Sequence, residues 1–137
     1  MKLTYQTKGH YDFVNITDDV AAAVAESGVI DGVVTVFIKG STATITCLEW
    51  GANVDRDIIN LWEKLAPEHA DYEHHKTWGD RNGAAHIKAA FMKPDLSIPI
   101  EHGKMVVGAW QQIVLIDFDE KPREREVYIK IVKSTRH

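Results

Sequence analysis

The last third of the chain is the feature that most constrains the fold. It contains three apolar, strand-like segments, which read "LSIPI", "MVVGAWQQIVLIDFD" and "REREVYIKIV". Gly103 marks a turn after the first segment, and "DEKP" at residues 119–122 marks a turn after the second, so each turn predicts a hairpin. Hairpins join antiparallel strands, and this part of the chain therefore predicts an antiparallel sheet.

The rest of the chain mixes further strands with helices. Strands are predicted over "KLTYQT", "YDFVNI", "GVVTVFI" and "ATITCLEW". The third of these is apolar on both faces, so we expect it to be buried on both. Helices are predicted over "TDDVAAAVAESG", over residues 54–65 and over "AAHIKAAF". No regular alternation of strand and helix appears. This order predicts an α+β fold, a mainly antiparallel sheet or sandwich with about three helices, in one domain over residues 1–137.

Composition excludes several classes of protein. The chain has 137 residues and a formal net charge of -4 at pH 7, so it lacks the basic excess of a protein that binds nucleic acid or an anionic membrane. Its one cysteine, Cys47, rules out an internal disulfide scaffold. The start "MKLTYQTKGHYDF" has no apolar signal segment, and no apolar run approaches the ~18 residues of a membrane span. We expect a soluble cytoplasmic protein whose tail, "KSTRH", is frayed.

The stretch "YEHHKTWGDRNGAAHIKAAF", residues 72–91, carries the strongest chemical signal. The imidazoles of His75 and His86 can ligate zinc, transfer a proton near neutral pH or bind phosphate when protonated. Their spacing matches no standard zinc motif, and spacing alone favours an exposed loop residue and a histidine packed on a helix. Asn82 either fixes the loop or orients a histidine, and the sequence leaves both roles open.

Polar groups also lie at the ends of apolar strands. Glu49 ends one apolar row and suits a base, a metal ligand or a salt-bridge partner. Arg123 and Arg125 begin another row, where they suit a phosphate or pair with neighbouring glutamates. Trp110 and Gln111 suit a planar ring and its polar edge, or else pack in the core.

Together these segments resemble the YjbQ-like family in their order and spacing. The matching segments are "GSTATITCLE", "APEHADYEHHKTWGDRNGAAHIKAAF" and "LSIPIEHGKMVVGAWQQIVLIDFDEKPREREVYIKIV", which together span nearly the whole chain. The closing signature "IPI…G…GAWQQI" is the most specific of them. The resemblance implies an α+β fold assembled as a homotrimer. It also implies a secondary thiamine-phosphate synthase activity, which joins a pyrimidine-methyl diphosphate to a thiazole phosphate and releases pyrophosphate.

The resemblance also implies a set of site residues. The catalytic residues are His75, His86 and Glu49. The substrate-binding residues are Asn82, Trp110, Gln111, Arg125 and Thr42. His75 and His86 are also expected to hold a divalent metal, Zn²⁺ or Mg²⁺.

The chain departs from the family pattern at two places. Ser41 precedes Thr42 where bacterial members often have His-Thr, and Ala84 stands where closer relatives often have histidine. Each departure removes one possible ligand. The leading hypothesis is a small-molecule enzyme that acts on phosphorylated substrates. The alternatives are a non-catalytic oligomer that binds a metal or a phosphorylated metabolite, and a purely structural oligomer.

Overall fold

Two antiparallel sheets form the centre of the computed structural model, which describes residues 1–135. The first sheet has the spatial order β1 (Lys2–Thr7), β8 (Arg123–Lys133), β3 (Gly32–Ile38), β5 (Asp95–Glu101) and β6 (Lys104–Met105). The second has the order β2 (Asp12–Asn15), β7 (Gln111–Asp117) and β4 (Ala43–Glu49). Every pairing in both sheets is antiparallel, which confirms the predicted fold class.

Three helices lie beside the sheets within the described residues: α1 (Thr17–Ser27), α2 (Val54–Leu65) and α3 (Gly83–Met92). The polar loop before α3 contains a short 3-10 turn, Glu73–Lys76, that the sequence did not predict. The fraying predicted for "KSTRH" is wrong for Lys133, which belongs to β8, and for Ser134, whose N–H donates to the Asp31 carbonyl at 2.9 Å. The end of that segment, residues 136–137, lies outside the described residues.

Two apolar clusters hold these layers together. The larger lies between the sheets, and α1 contributes Val20 and Val24 to it. The smaller lies on the outer face of the second sheet, where α2 and α3 pack on Val114 and Ile116 of β7. Strand β7 is therefore buried on both faces, as an internal strand between two cores must be. None of the helices within residues 1–135 is both long and apolar enough to cross a membrane.

The prediction that "GVVTVFI" is buried on both faces is wrong for one face. The segment forms β3 with the predicted bounds, and Val34 and Val36 point into the core. However, the side chains of Val33 and Phe37 lie on the outer face and are 39% and 41% exposed. Branched and aromatic side chains suit an exposed sheet surface as well as a buried one, so apolar character alone did not fix burial.

The turn at "DEKP" is also not the predicted hairpin. Strand β7 pairs with β2 and β4, whereas β8 pairs with β1 and β3, so this turn carries the chain from the second sheet to the first. The connections at residues 8–11 and 39–42 also switch sheets. Register places all three at one end of the sandwich, because Asp117 lies opposite Ala43 and Arg123 lies opposite Thr7. The Gly103 hairpin is confirmed by the pairing of Ile100 with Met105.

Candidate functional site

A polar cavity of about 450 Å³ opens at the end of the sandwich where the chain switches sheets. Loops and strand ends from both sheets contribute to it, as do α3 and the loop before it. The lining residues are Gly40, Ser41, Thr42, His74, Trp78, Asp80, Asn82, His86, Asp119, Arg123 and Arg125.

A buried ion pair between the two sheets lies behind this cavity. Arg125, on β8, donates from Nε to Asp117 Oδ2 at 2.7 Å and from Nη2 to Asp117 Oδ1 at 2.9 Å. Asp117 is fully buried at the end of β7, and Arg125 is only 6% exposed. Nη2 also donates to Thr42 Oγ1 at 2.6 Å. The two-point contact fixes the guanidinium plane, and it leaves Nη1 without a hydrogen bond to any described residue.

Gly40 allows Nη1 of Arg125 to reach the edge of the cavity. Its backbone has φ +115, a conformation that L side chains rarely adopt. A Cβ atom at this position would lie 2.7 Å from Arg125 Nη1, which is closer than two such atoms can pack. The close approach therefore requires glycine, and the free guanidinium nitrogen lies beside the cavity wall.

Asp119 organises the opposite side of the cavity. Its carboxylate accepts hydrogen bonds from Thr42 Oγ1 at 2.8 Å, Arg123 Nε at 3.0 Å and Asn82 Nδ2 at 3.3 Å. Burial alone would raise the pKa of Asp119, but these donors and the Glu120 backbone N–H outweigh it and hold the pKa below its usual value. The group is therefore a carboxylate at neutral pH and fixes the positions of its donors.

Asn82 carries a buried acceptor with no partner. The residue is 5% exposed, and its Oδ1 makes no hydrogen bond within the described residues. The amide must direct Nδ2 to Asp119, because the carboxylate can only accept, so the unpaired atom is the oxygen. An unpaired buried acceptor costs about 1–3 kcal/mol, which a ligand with a hydrogen-bond donor would recover.

His86 and His74 stack on each other at the mouth of the cavity. Their ring centroids are 4.3 Å apart with planes inclined at 33°. Burial lowers the pKa of His86, and the neighbouring His74 lowers it further. Asp80 Oδ1 lies 3.8 Å from His74 Nδ1, and both atoms are buried without a hydrogen bond to a described residue. The resting site thus holds a neutral His86 among polar atoms that have no partner.

His75 does not line the cavity and has a structural contact instead. Its Nε2 accepts a hydrogen bond from the Gly83 N–H, the first residue of α3, at 3.1 Å. Its ring packs edge-on against Tyr72, with centroids 5.5 Å apart. A Cβ at position 83 would lie 2.8 Å from Tyr72 Cβ, so glycine is needed there as well. The lone pair that would bind a metal is occupied in this arrangement.

Three other predicted site residues lie at the far end of the second sheet. Glu49 and Gln111 are opposite one another at the end of β4 and the start of β7, and both are exposed. Trp110 is 76% exposed beside them. Strand β4 separates this end from Thr42 by seven residues, or roughly 20 Å at the usual rise per residue. Of the predicted site, only Thr42, Asn82, His86 and Arg125 are brought together in one cavity.

The described residues do not form a ready metal centre. Within residues 1–135, no group of three or more His, Cys, Asp or Glu side chains is arranged so that it could hold a metal ion. His75 and His86, the predicted pair, do not face the same cavity. Within residues 1–135 the predicted pair of His75 and His86 therefore does not form a metal site in one chain.

Sequence reasoning missed several cavity residues that the structure brings together. Asp119 lines the cavity and Asp117 lies behind it; both belong to "DFD" at the end of β7 and pair with the arginines of "RER". The sequence signal that could have predicted these ion pairs is the spacing of two acids in "DFD" and two bases in "RER", each two residues apart. His74 is also absent from the predicted site, because sequence does not show which of two adjacent histidines faces a cavity.

The Gly40 contact generates a stability prediction with a matched control. Gly51 also has a left-handed backbone, φ +82, but no heavy atom lies within 4 Å of its ideal Cβ position. We expect Gly51→Ala to lower the free energy of unfolding by about 1–2 kcal/mol through backbone strain alone. Gly40→Ala should cost a further ~1–3 kcal/mol, because the guanidinium group of Arg125 must shift within its ion pair. Urea unfolding of both variants measures the difference, and equal losses would contradict the contact.

Comparison with known proteins assigns the chain to a family. A model of the family described as UPF0047 protein YjbQ-like matches residues 1–134. A UPF0047 protein from Archaeoglobus fulgidus is 34% identical over 130 residues, which cover 95% of this chain and 98% of that protein. A UPF0047 protein from Methanocaldococcus jannaschii is 35% identical over 132 residues, with 96% and 92% covered.

Solved structures show the same fold. An uncharacterised conserved protein of the YjbQ/UPF0047 family from Clostridium acetobutylicum superposes with a TM-score of 0.87 at 40% identity, covering 96% of this chain and 99% of that one. A YbjQ-like protein of unknown function from Sulfolobus solfataricus has a TM-score of 0.87 at 27% identity, with 98% and 97% covered. The resemblance found in the sequence is confirmed, and the chain belongs to the UPF0047 YjbQ-like family.

Proposed function

We propose that the protein is an enzyme that acts on a phosphorylated small molecule in the polar cavity. The first reaction to consider is the thiamine-phosphate synthase type of transfer. The observation that supports this proposal is the unused hydrogen-bonding capacity of buried groups at one place. Arg125 Nη1 is a fixed donor without a partner, and Asn82 Oδ1 is a buried acceptor without a partner, within the described residues. Both residues line the cavity together with His86.

Guanidinium groups supply the phosphate-binding part of the proposal. Arg123 and Arg125 line the cavity, and the planar fork of arginine suits two phosphate oxygens. Asp80 and Asp119 line it as well and cancel those two charges formally. The net charge of these four side chains therefore adds little to the affinity for an anion. Because a protonated His86 would attract the anion, we expect binding to be accompanied by uptake of a proton at His86.

A proton held by His86 is useful in the proposed transfer. In that reaction the thiazole nitrogen attacks the methylene carbon of the pyrimidine-methyl diphosphate. A C–N bond forms while the C–O bond to the diphosphate breaks, and the departing pyrophosphate takes the electron pair. Protonated His86 would donate its proton to that leaving group, and a lowered pKa makes it a stronger acid.

Assembly as a homotrimer is also part of the proposal. Glu49, Trp110 and Gln111 cannot reach the cavity within one chain, because they lie at the opposite end of the second sheet. Contact between copies would allow these exposed groups to complete the cavity of a neighbouring subunit. In this assembly the carboxylate of Glu49 would lie beside the reacting groups, and Trp110 with Gln111 would contact a planar ring.

The assembly is tested by mass in solution. We expect sedimentation equilibrium of the wild-type protein to give three times the chain mass of 15.4 kDa. Trp110→Ala should weaken the trimer because the proposed contact covers its exposed ring, whereas Leu61→Ala, at an exposed apolar residue of α2 that does not line the cavity, serves as the control. A monomer at all concentrations would contradict shared sites and leave Glu49 outside the chemistry.

Anion binding should depend on pH through His86. Sulfate is a suitable probe because it keeps its charge over the range tested. We expect the Kd for sulfate to fall as the pH is lowered from about 8 to about 5, since protonation of His86 adds a positive charge beside the anion. The gain in sulfate affinity should level off once the pH is below the pKa of His86 in the ligand-free protein. Burial and the neighbouring His74 lower that pKa.

Isothermal titration across this pH range, on wild type and His86→Gln, provides the measurement. His102→Gln is the control, since His102 is exposed in the β5–β6 turn away from the cavity. The pH dependence should weaken in His86→Gln and persist in His102→Gln. Sulfate binding with the same pH dependence in all three proteins would exclude His86 as the proton-binding group.

Turnover is tested directly with the two phosphorylated halves of thiamine phosphate. We expect wild type to form thiamine phosphate, and His86→Ala to lose roughly 10²–10⁴-fold in rate, the usual contribution of a general acid. His102→Ala should retain the full rate. Assays with and without Zn²⁺ or Mg²⁺ test the metal requirement, which stays a prediction. Tight binding without turnover would favour the non-catalytic binding protein instead.

A further inference from the structure

An apolar groove of about 270 Å³ lies directly beside the polar cavity. Three residues line both of them: Gly40, Ser41 and His86. The other residues of the groove are Ala43, Ala89, Ala90 and Pro94. The two spaces therefore adjoin at His86, and they differ sharply in chemistry.

The groove has no charged side chain other than the titratable His86 among its lining residues. On α3, His86, Ala89 and Ala90 are three and four residues apart, so they form one face of the helix. Ala43, at the start of β4, faces them. Alanine side chains on both sides leave room between the helix and the strand that larger apolar residues would fill.

We propose that this groove binds the apolar ester group of the substrate whose phosphate occupies the polar cavity. The substrate class is thus a phosphate ester of a short hydrocarbon or a small ring, with one charged end and one apolar end. This inference rests on the proposed function, because it assumes that the cavity binds the phosphate. It places the bridging ester oxygen next to His86, which lines both spaces.

Binding of methyl phosphate and n-butyl phosphate tests the inference. Each methylene group moved from water into the groove should tighten binding about fourfold, so wild type should prefer n-butyl phosphate by at least about tenfold. Ala90→Leu should erase this preference by filling the groove, so that its Kd values for n-butyl phosphate and methyl phosphate become equal. Ala90 is exposed on a helix, and leucine is a good helix former, so this variant should fold.

Ala22→Leu is the matched control, since Ala22 is an exposed helical alanine on α1 and does not line the groove. It should keep the wild-type preference. Equal affinity of wild type for the two esters would overturn the groove assignment and leave the phosphate site standing. A preference that survives in Ala90→Leu would also overturn it, by placing the butyl group elsewhere. Failure of both esters to bind would overturn the proposed function together with this inference.

Discussion

The ion pair between Arg125 and Asp117 is the interaction on which this end of the molecule depends. It joins β8 of one sheet to β7 of the other at the place where hydrophobic contact between the sheets gives way to loops. Thr7 also donates to Asp117 Oδ2, at 2.5 Å, so β1 is tied to the same carboxylate. A buried pair gains little over an apolar one, but removal of one partner costs about 3–5 kcal/mol, because the other charge is left buried alone. The geometry of the cavity is thus coupled to the stability of the sandwich.

A network with only a structural purpose would use all of its hydrogen-bonding groups. The carboxylate behind the cavity does so: Asp117 accepts from Arg125 and Thr7, and it also accepts from the Asp119 N–H at 2.9 Å. The groups at the cavity wall do not, since Asn82 Oδ1 and the nearby Asp80 Oδ1 are buried without a partner within the described residues. Unpaired buried polar atoms are costly, and three of the four within the described residues belong to His74, Asp80 and Asn82, which line this one cavity. Only His75 Nδ1 lies elsewhere, so the distribution argues for a ligand rather than a purely structural role.

Local sequence patterns predicted most of the helices and strands. They failed where contacts between distant segments decide which strands pair. The bounds of β1, β3 and α2 follow from period and turn signals alone. The turn at "DEKP" has the composition of a hairpin, yet its strands pair with other partners, and no local signal reports a change of sheet. The site was half predictable for the same reason. The two-residue period of a strand placed Arg125 at the start of an apolar row. It did not show that the cavity forms at the Thr42 end of β4, whereas Glu49 lies at the other end.

His86 is the residue at which these features meet, and its position follows from α3. The helix begins at Gly83, whose close contacts with Tyr72 and His75 fix its first turn, so His86 emerges one turn later above the sheet-switching loops. On one side it faces aspartates and arginines that hold each other in place. On the other it faces alanines. A titratable ring at the boundary of a polar and an apolar space can respond to charge on one part of a ligand while it touches the uncharged part. That arrangement suits a bond cleaved at the junction of the two parts better than a site that only holds an anion.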